Sequence, residues 1–468
     1  MNRRHALQTL SCGFGGLAFA ALAEGAASSP LESRAPVLPA RAKRIIFLFM
    51  QGGPSHVDTF DHKPELIRRE GQMADFHDAR KIANSGVIQA TSQRLMSPKW
   101  EFSPHGQCGR QVSSLFPEIA RHVDDLCFIH SMHTEGIAHG PATLFLHTGT
   151  TNFIRPSMGS WITYGLGSES ANLPGFITIG PSTGNGGARN YGNAFLPPVY
   201  QGTPLGRADA PASQASIRNL GNDRLSEAER RRRFEFIQAL NEAQRAKRPG
   251  DREFEAAIES FELAWRIQSH APEVTDLTQE SQATLDLYGI RDGAPTADFG
   301  RKCLLARRLC ESGVRFVQVN YGDNTANPAW DQHSNLPKHA DHARAVDLPV
   351  AGLLEDLKQR GLLDDTIVWF GGEFGRTPYA QSNGTGRDHN PKGFTTWLAG
   401  GGFKPGHAHG ATDEFGFMAV ENKVHMHDLH ATILHQLGLD HKQLTFRHDG
   451  RDFRLTDVHG HVVHEVLA

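Results

Sequence analysis

Carboxylate and imidazole side chains follow one apolar run after another in this chain. Gln51, His56, Asp58 and Asp61 come after "RIIFLFM", and His130, His133 and His139 lie in and after "DLCFIHSM". Asp331 and His333 form "WDQH" downstream of "VRFVQVNY", Glu373 follows "TIVWFGG", and Asp388 and His389 stand in "GRDHNP". Acidic and imidazole groups on separate strand ends, gathered at one edge of one sheet, can converge on a divalent ion; a mixed oxygen and nitrogen set suits zinc or manganese. Asp331, His333, Glu373 and His389 are the candidate ligands. Taken singly each has an ordinary alternative: Asp-Xaa-His is a common loop sequence, and Glu373 can cap a helix or pair with Arg376. Asp58 and His56 are candidate bases, Gly52, Gly53 and Asn320 can offer donors to an oxyanion, and Arg376 can add charge.

Positioning those residues needs strands that open onto loops at a common edge. The continuous apolar run from Ile45 to Met50, closed by Gly52, Gly53 and Pro54, reads as a buried parallel strand. "DLCFIHSM", "VRFVQVNY", "TIVWFGGEF" and "FTTWLAGG" read the same way. "FGRKCLLARRLCESG" and "DLPVAGLLEDLKQRGLL" have helical spacing and a glycine near the end. Strand alternating with helix predicts an α/β fold, a mostly parallel central sheet with helices on both faces, and a ligand site beyond the carboxyl ends of the strands. Residues 182–223, rich in Gly, Pro, Asn and Ala, predict an extended loop. Residues 226–289 predict helices, with Phe254, Ile258, Phe261 and Trp265 as one apolar stripe. Together 182–290 form an insertion that can roof the site. Arg230 to Arg233 make a solvated helix face or, as the alternative, a phosphate-binding patch. Glycines around His407 and His409 favour a mobile loop, and the histidines of 425–430 lead into a core helix.

Composition sets the outer limits. With 468 residues, 39% hydrophobic, the chain can bury a full core. Its net charge of -3 provides no basic field for nucleic acid. Residues 1–27 read as a twin-arginine export signal: Arg3 and Arg4, an apolar stretch from Leu10 to Ala23, then small residues. That stretch is too short to anchor the chain stably in a membrane, so a periplasmic or secreted location is expected. Cys303 and Cys310, two helical turns apart, cannot bond to each other. Cys108 with Cys127 is open, and no disulfide framework is implied.

"FLFMQGGPSHVDTFDHKPEL", "WDQH", "GGEFGRTP", "GRDHNPKGFTTWLAGGGFKPG", "GATDEFG" and "HDLHATILHQLGLD" together resemble the exported family known as domain of unknown function 1501, over nearly all of residues 42–468. That family is similar to the alkaline phosphatase superfamily, including sulfatases. The resemblance implies an alkaline phosphatase-like sandwich and a hydrolase's site. It places the superfamily's loop aspartate and histidine on Asp331 and His333, its next carboxylate on Glu373 with Phe374 in place of a histidine, and its final histidine on His389. Gln51 replaces the aspartate at the first strand's end. Set against the sulfatase signature, "HGPATLFLHTG" matches Pro141, Thr148 and Gly149, and puts His139 at the nucleophile.

With Pro141 at the first helical position and Gly140 as its cap, His139 is expected just outside a helix N-terminus, where imidazolium is disfavoured. Its lone pair then either coordinates the ion, making good the imidazole lost at Phe374, or attacks phosphorus, or does no more than cap its own loop. The expectation is an exported metal-dependent hydrolase of phosphate or sulfate esters. Zinc is the first choice of cation, with manganese or calcium as alternatives, and the substrate is an anionic small molecule or glycan ester. The rival is a non-catalytic relative that keeps the fold and binds an anionic glycan or a partner protein.

Overall fold

The structure is a computed structural model that describes residues 30–77, 90–217, 224–248, 251–381 and 384–468. The export-signal reading of residues 1–27 lies outside the described residues. Nine strands form the central sheet: β1 Arg44–Met50, β2 Leu126–His133, β3 Phe176–Ile179, β4 Thr203–Leu205, β5 Phe316–Tyr321, β6 Thr366–Gly371, β7 Phe394–Ala399, β8 His407–His409 and β9 Val424–His425. Their order is β8-β2-β7-β6-β1-β5-β3-β4, with β9 also on β2. β7 runs antiparallel to both its neighbours and every other pairing is parallel. The carboxyl ends of β1, β2, β5 and β6 therefore share one edge with the start of β7.

All seven residues of β1 and all six of β6 are buried, which is why both read as unbroken apolar runs rather than as alternation. The longer helices are α1 His139–Thr148, α2 Met158–Leu166, α3 Glu227–Arg245, α4 Arg252–Thr275, α5 Ala297–Glu311, α6 His339–Gln359 and α7 Met426–Gln436. Phe47 and Phe49 meet the His147 ring of α1, whereas Tyr321, the register partner of Met50, meets Phe299 of α5. Side chains alternate across a strand, so α1 and α5 cover opposite faces. The expected α/β architecture is present.

Several local expectations change. His407–His409 is a strand against β2, its carbonyls and amides spent on the sheet edge, and not a loop. The 182–223 stretch carries β4, which pairs with β3. On α4 the buried face is Ala256, Ile258, Leu263, Ile267 and Ala271, while Phe261 is 61% exposed and Trp265 stacks on Phe234 of α3. The helix packs on α5 and on the 198–200 turn, with Arg266 donating to the Ala171 carbonyl, so it braces the β3–β4 side of the sheet instead of roofing the carboxyl edge. Cys108, Cys127, Cys303 and Cys310 are all free thiols.

Candidate metal centre

Four side chains from three segments meet at the carboxyl edge. His139 comes from the start of α1, Asp331 and His333 from the segment after β5, and His389 from the Arg387–Asn390 strand of a two-stranded ribbon with Gly375–Ala380. One ligand-type atom from each lies within 4.8 Å of all the others. His139 Nε2 is 3.1 Å from Asp331 Oδ2; His333 Nε2 and His389 Nε2 are 2.8 and 3.2 Å from Asp331 Oδ1 and 3.0 Å from each other.

The outward nitrogens decide what the inward ones can do. His139 Nδ1–H donates to Glu373 at 2.6 Å, His389 Nδ1–H to the Ile137 carbonyl at 2.7 Å, and His333 Nδ1–H to Gln381 Oε1 at 2.7 Å. In neutral imidazole the other nitrogen is then a bare lone pair. Three lone pairs consequently point at one carboxylate. His139 Nε2 and Asp331 Oδ2 are both buried and face each other at 3.1 Å with no further partner. Orphaned acceptors packed this closely repel each other unless a proton or cation sits among them.

In the protein without a cation the charge balance answers that repulsion with a proton on His139, contrary to the expectation that imidazolium is disfavoured at this helix start. Burial by itself would lower the His139 pKa, but hydrogen bonds to Asp331 and Glu373 raise it above the ordinary value. Burial opposes ionisation of Asp331, yet His139, His333, His389 and the Arg376 guanidinium together hold its carboxyl far below the usual range. His389 is pushed down to about 4 by burial, with Arg376 and His139 adding to the effect against Asp331. The protein thus holds Asp331 as a carboxylate and His389 as a neutral donor, and the set of three imidazole nitrogens and one carboxylate oxygen fits a divalent cation.

His139 is the first residue of α1, with Ala138 as its cap, so the helix starts two residues earlier than expected. The first turn-closing bond, Ala142 N–H to the Ala138 carbonyl at 3.0 Å, explains how. Pro141 lies within the first turn, where its missing N–H costs nothing. Glu373 was expected among the ligands. The structure places it behind His139, where its carboxylate also accepts from Gly52 N–H at 3.0 and 3.2 Å. Gly52 has φ +105°, and a Cβ there would come within 2.7 Å of the Pro328 carbonyl and the Asp331 amide, so the close approach of these loops requires glycine.

The other sequence candidates are not brought to the cluster. Asp58 forms an ion pair with Arg387 at 2.7 Å, both side chains fully buried, and accepts from Ser55 Oγ and Lys99 N–H. His56 Nε2–H donates to the Gly416 carbonyl at 2.7 Å. Neither is free to act as a base. Asn320 donates to Thr178 Oγ1 and the Ile179 carbonyl, and Arg376 is divided among Asp331 and the carbonyls of Gly52, Gly53 and Arg387. The Gly52 N–H is on Glu373, so Gly52, Asn320 and Arg376, three of the four expected oxyanion donors, are engaged in holding the loops together. Gln381, the Ile137 carbonyl and Phe374, whose ring stacks on His389 at 4.4 Å, were missed. Two surface cavities lie away from the cluster, about 470 Å³ between α4 and residues 193–203 and about 440 Å³ beside Trp100 and Asp347. Of the four cluster side chains, His333 is the most open, at 21%, against 7% or less for the rest.

The family model described as protein of unknown function (DUF1501) matches residues 42–467. The chain belongs to the DUF1501 family. No curated protein matches it in sequence. Among solved structures, this DUF1501 chain is similar to the lipoteichoic acid synthase LtaP from Listeria monocytogenes, at 8% identity and TM-score 0.37, covering 91% of this chain and 78% of that one. It is also similar to the PsFucS1 sulfatase from Pseudoalteromonas sp., at 12% identity and TM-score 0.36, covering 85% and 68%. A protein in the alkaline phosphatase superfamily from Vibrio parahaemolyticus aligns at 8% identity and TM-score 0.35, covering 89% and 71%. Likenesses this distant assign no chemistry to the DUF1501 chain. No described helix is long and apolar enough to cross a membrane.

Proposed function

We propose that this protein is an exported metal-dependent hydrolase acting on phosphate or sulfate esters of an anionic small molecule or glycan. The observation that carries the metal is the convergence of His139, His333 and His389 Nε2 on the Asp331 carboxylate, whose Oδ2 has no partner beyond His139. The ester class rests on the motifs that resemble the alkaline phosphatase superfamily at Asp331, His333, Glu373 and His389. A divalent ion, zinc first by its donor set and manganese or calcium as alternatives, would supply Lewis-acid polarisation and a water of lowered pKa. The chain's own residues prepare for this. Glu373 keeps the proton on His139 Nδ1, and Gln381 and the Ile137 carbonyl do so for His333 and His389, so that no ligand turns its N–H inward. Phe374 walls off the His389 side from water, leaving the His333 side as the approach.

His139 is better used as a ligand than as a nucleophile, because its Nε2 already faces Asp331 Oδ2 at 3.1 Å. A second reading has an observation of its own: four protein ligands, three of them buried, can saturate a tetrahedral ion, as structural sites do. In that reading the ion ties loops together and the protein binds an anionic glycan or a partner protein. Elemental analysis, with hydrolysis of aryl phosphate and aryl sulfate in zinc, manganese and calcium, separates the two. The hydrolase reading expects one ion per chain and metal-dependent turnover; His139→Gln should lose the ion, whereas loss of a nucleophile would spare it. Bound ion without turnover in any metal selects the second reading.

A further inference from the structure

We propose that the α3–α4 hairpin is a self-association surface, whose occupant is the same hairpin of a second copy of this chain. α3 is 19 residues long and buries none of them. Its inner side is spent on α4: Phe234 stacks on Trp265 at 4.7 Å, Gln238 Nε2 donates to Glu262 at 2.5 Å, and Arg245 pairs with Glu255 at 2.9 Å. Its outer side carries Phe236 at 65% and Leu240 at 52% exposure, one turn apart, with Ala239 and Ala243 exposed beside them. Ile237 at 43% and Phe261 of α4 at 61% add to the same hairpin, so four of the twelve exposed large hydrophobic residues described lie here. Helices draw their stability chiefly from tertiary packing of an apolar face, and among the described residues none packs on this one.

Charge selects the occupant. On a helical projection with Gln238 facing α4, Phe236, Leu240, Glu229 and Lys247 all fall on the opposite side. The outer face thus ends in an acid at the start of the helix and a base just past its end. An antiparallel pairing about a two-fold axis at Gln238 sets Phe236 of each copy against Leu240 of the other and Glu229 against Lys247, twice. Arg232 and Arg233 then lie over the last turn of the second copy, where unpaired carbonyls favour cations. Such an isologous arrangement is what a closed dimer needs, with the small Ala239 and Ala243 letting the helices approach. An anionic lipid surface matches only the basic end.

Sedimentation velocity of the full chain tests this, with far-UV circular dichroism showing that each variant keeps its helices. The wild type should sediment as a dimer. Phe236→Glu with Leu240→Glu should raise the dimer dissociation constant by about 30-fold or more. Lys247→Glu should weaken the dimer by placing like charges opposite, and adding Glu229→Gln, which removes that repulsion and keeps the acceptor for the Ser226 cap, should recover part of it. A wild type that stays monomeric at every concentration, or a dimer indifferent to the Phe236 and Leu240 changes, overturns the proposal. So does a monomer that cosediments with phosphatidylserine vesicles through this hairpin, which assigns the face to lipid.

Discussion

The loop after β1 and the loops after β2 and β5 carry the same residue types at the same sheet edge, yet their side chains end in opposite states. After β1, Asp58 is held by Arg387, Asp61 by Lys63 at 3.0 Å and Thr412 at 2.5 Å, and His56 by the Gly416 carbonyl. Every charge there has a protein counter-charge. After β2 and β5, Asp331 Oδ1 has the Arg376 guanidinium at 2.6 Å, but His139 Nε2 and Asp331 Oδ2 are buried facing each other at 3.1 Å with no further partner. Residue type announces what a side chain can do, and the partner count separates a structural polar network from a ligand set.

The comparison can be broken where the charges are paired. Asp58→Asn should leave Arg387 buried and uncompensated and cost about 3–5 kcal/mol in chemical denaturation, while the ion content of the folded fraction stays at the wild-type level. Lost stability accompanied by lost ion would show that the two regions are one site.

Acid should act on the buried histidines outside the cluster. His130 and His147 are pushed down to about 4, and His339 and His430 to about 3, in each case first by burial. Their folded values lie below the unfolded value of about 6.5, so the unfolded chain takes up protons first. Stability is then complete above pH 6.5 and falls as pH drops from 6.5 towards 4, by about 2 kcal/mol per group at pH 5. Thermal unfolding of metal-free protein between pH 7.5 and 5 checks this, and a flat profile would show that these rings are already hydrated.

On the unpaired side the expected effects are smaller and fall on affinity. Gln381→Leu removes the acceptor that fixes His333 and should weaken metal binding about 10- to 100-fold in a competition titration, with little change in stability. Glu373→Gln keeps an acceptor for His139 and should lie at the lower end of that range. Equal affinity for wild type and Gln381→Leu would mean that His333 is not a ligand.

The sheet was largely legible because parallel strands buried on both faces leave unbroken apolar runs, and the β1, β5 and β6 stretches stand out for that reason. Asp331, His333 and His389 were legible from motif and strand end, and His139 from the helix that follows it. Asp58 and His56 have the same outward signal; the Arg387 that neutralises Asp58 is 329 residues away, and no local pattern announces it. The role of Ile137 rests on its carbonyl, which every residue type shares. The strand position of Glu373 suggests a ligand, whereas its side chain stands behind His139, because strand position specifies the loop but not which of two facing groups points inward. The histidines at 407 and 409 read as a loop because flanking glycines outweighed the edge of β2 waiting to be paired.

The cluster draws on chain segments around residues 139, 331–333 and 389, and the loop glycine that holds Glu373 lies at position 52. No partly folded fragment can therefore assemble the complete nest of donors; it comes into being only once β1, β2, β5, β6 and the ribbon have all docked. If the proposed ion is taken up there, the free ions present when the last strand docks would set which cation it is. Purification from a foreign host can for this reason yield a well-folded protein carrying the wrong element.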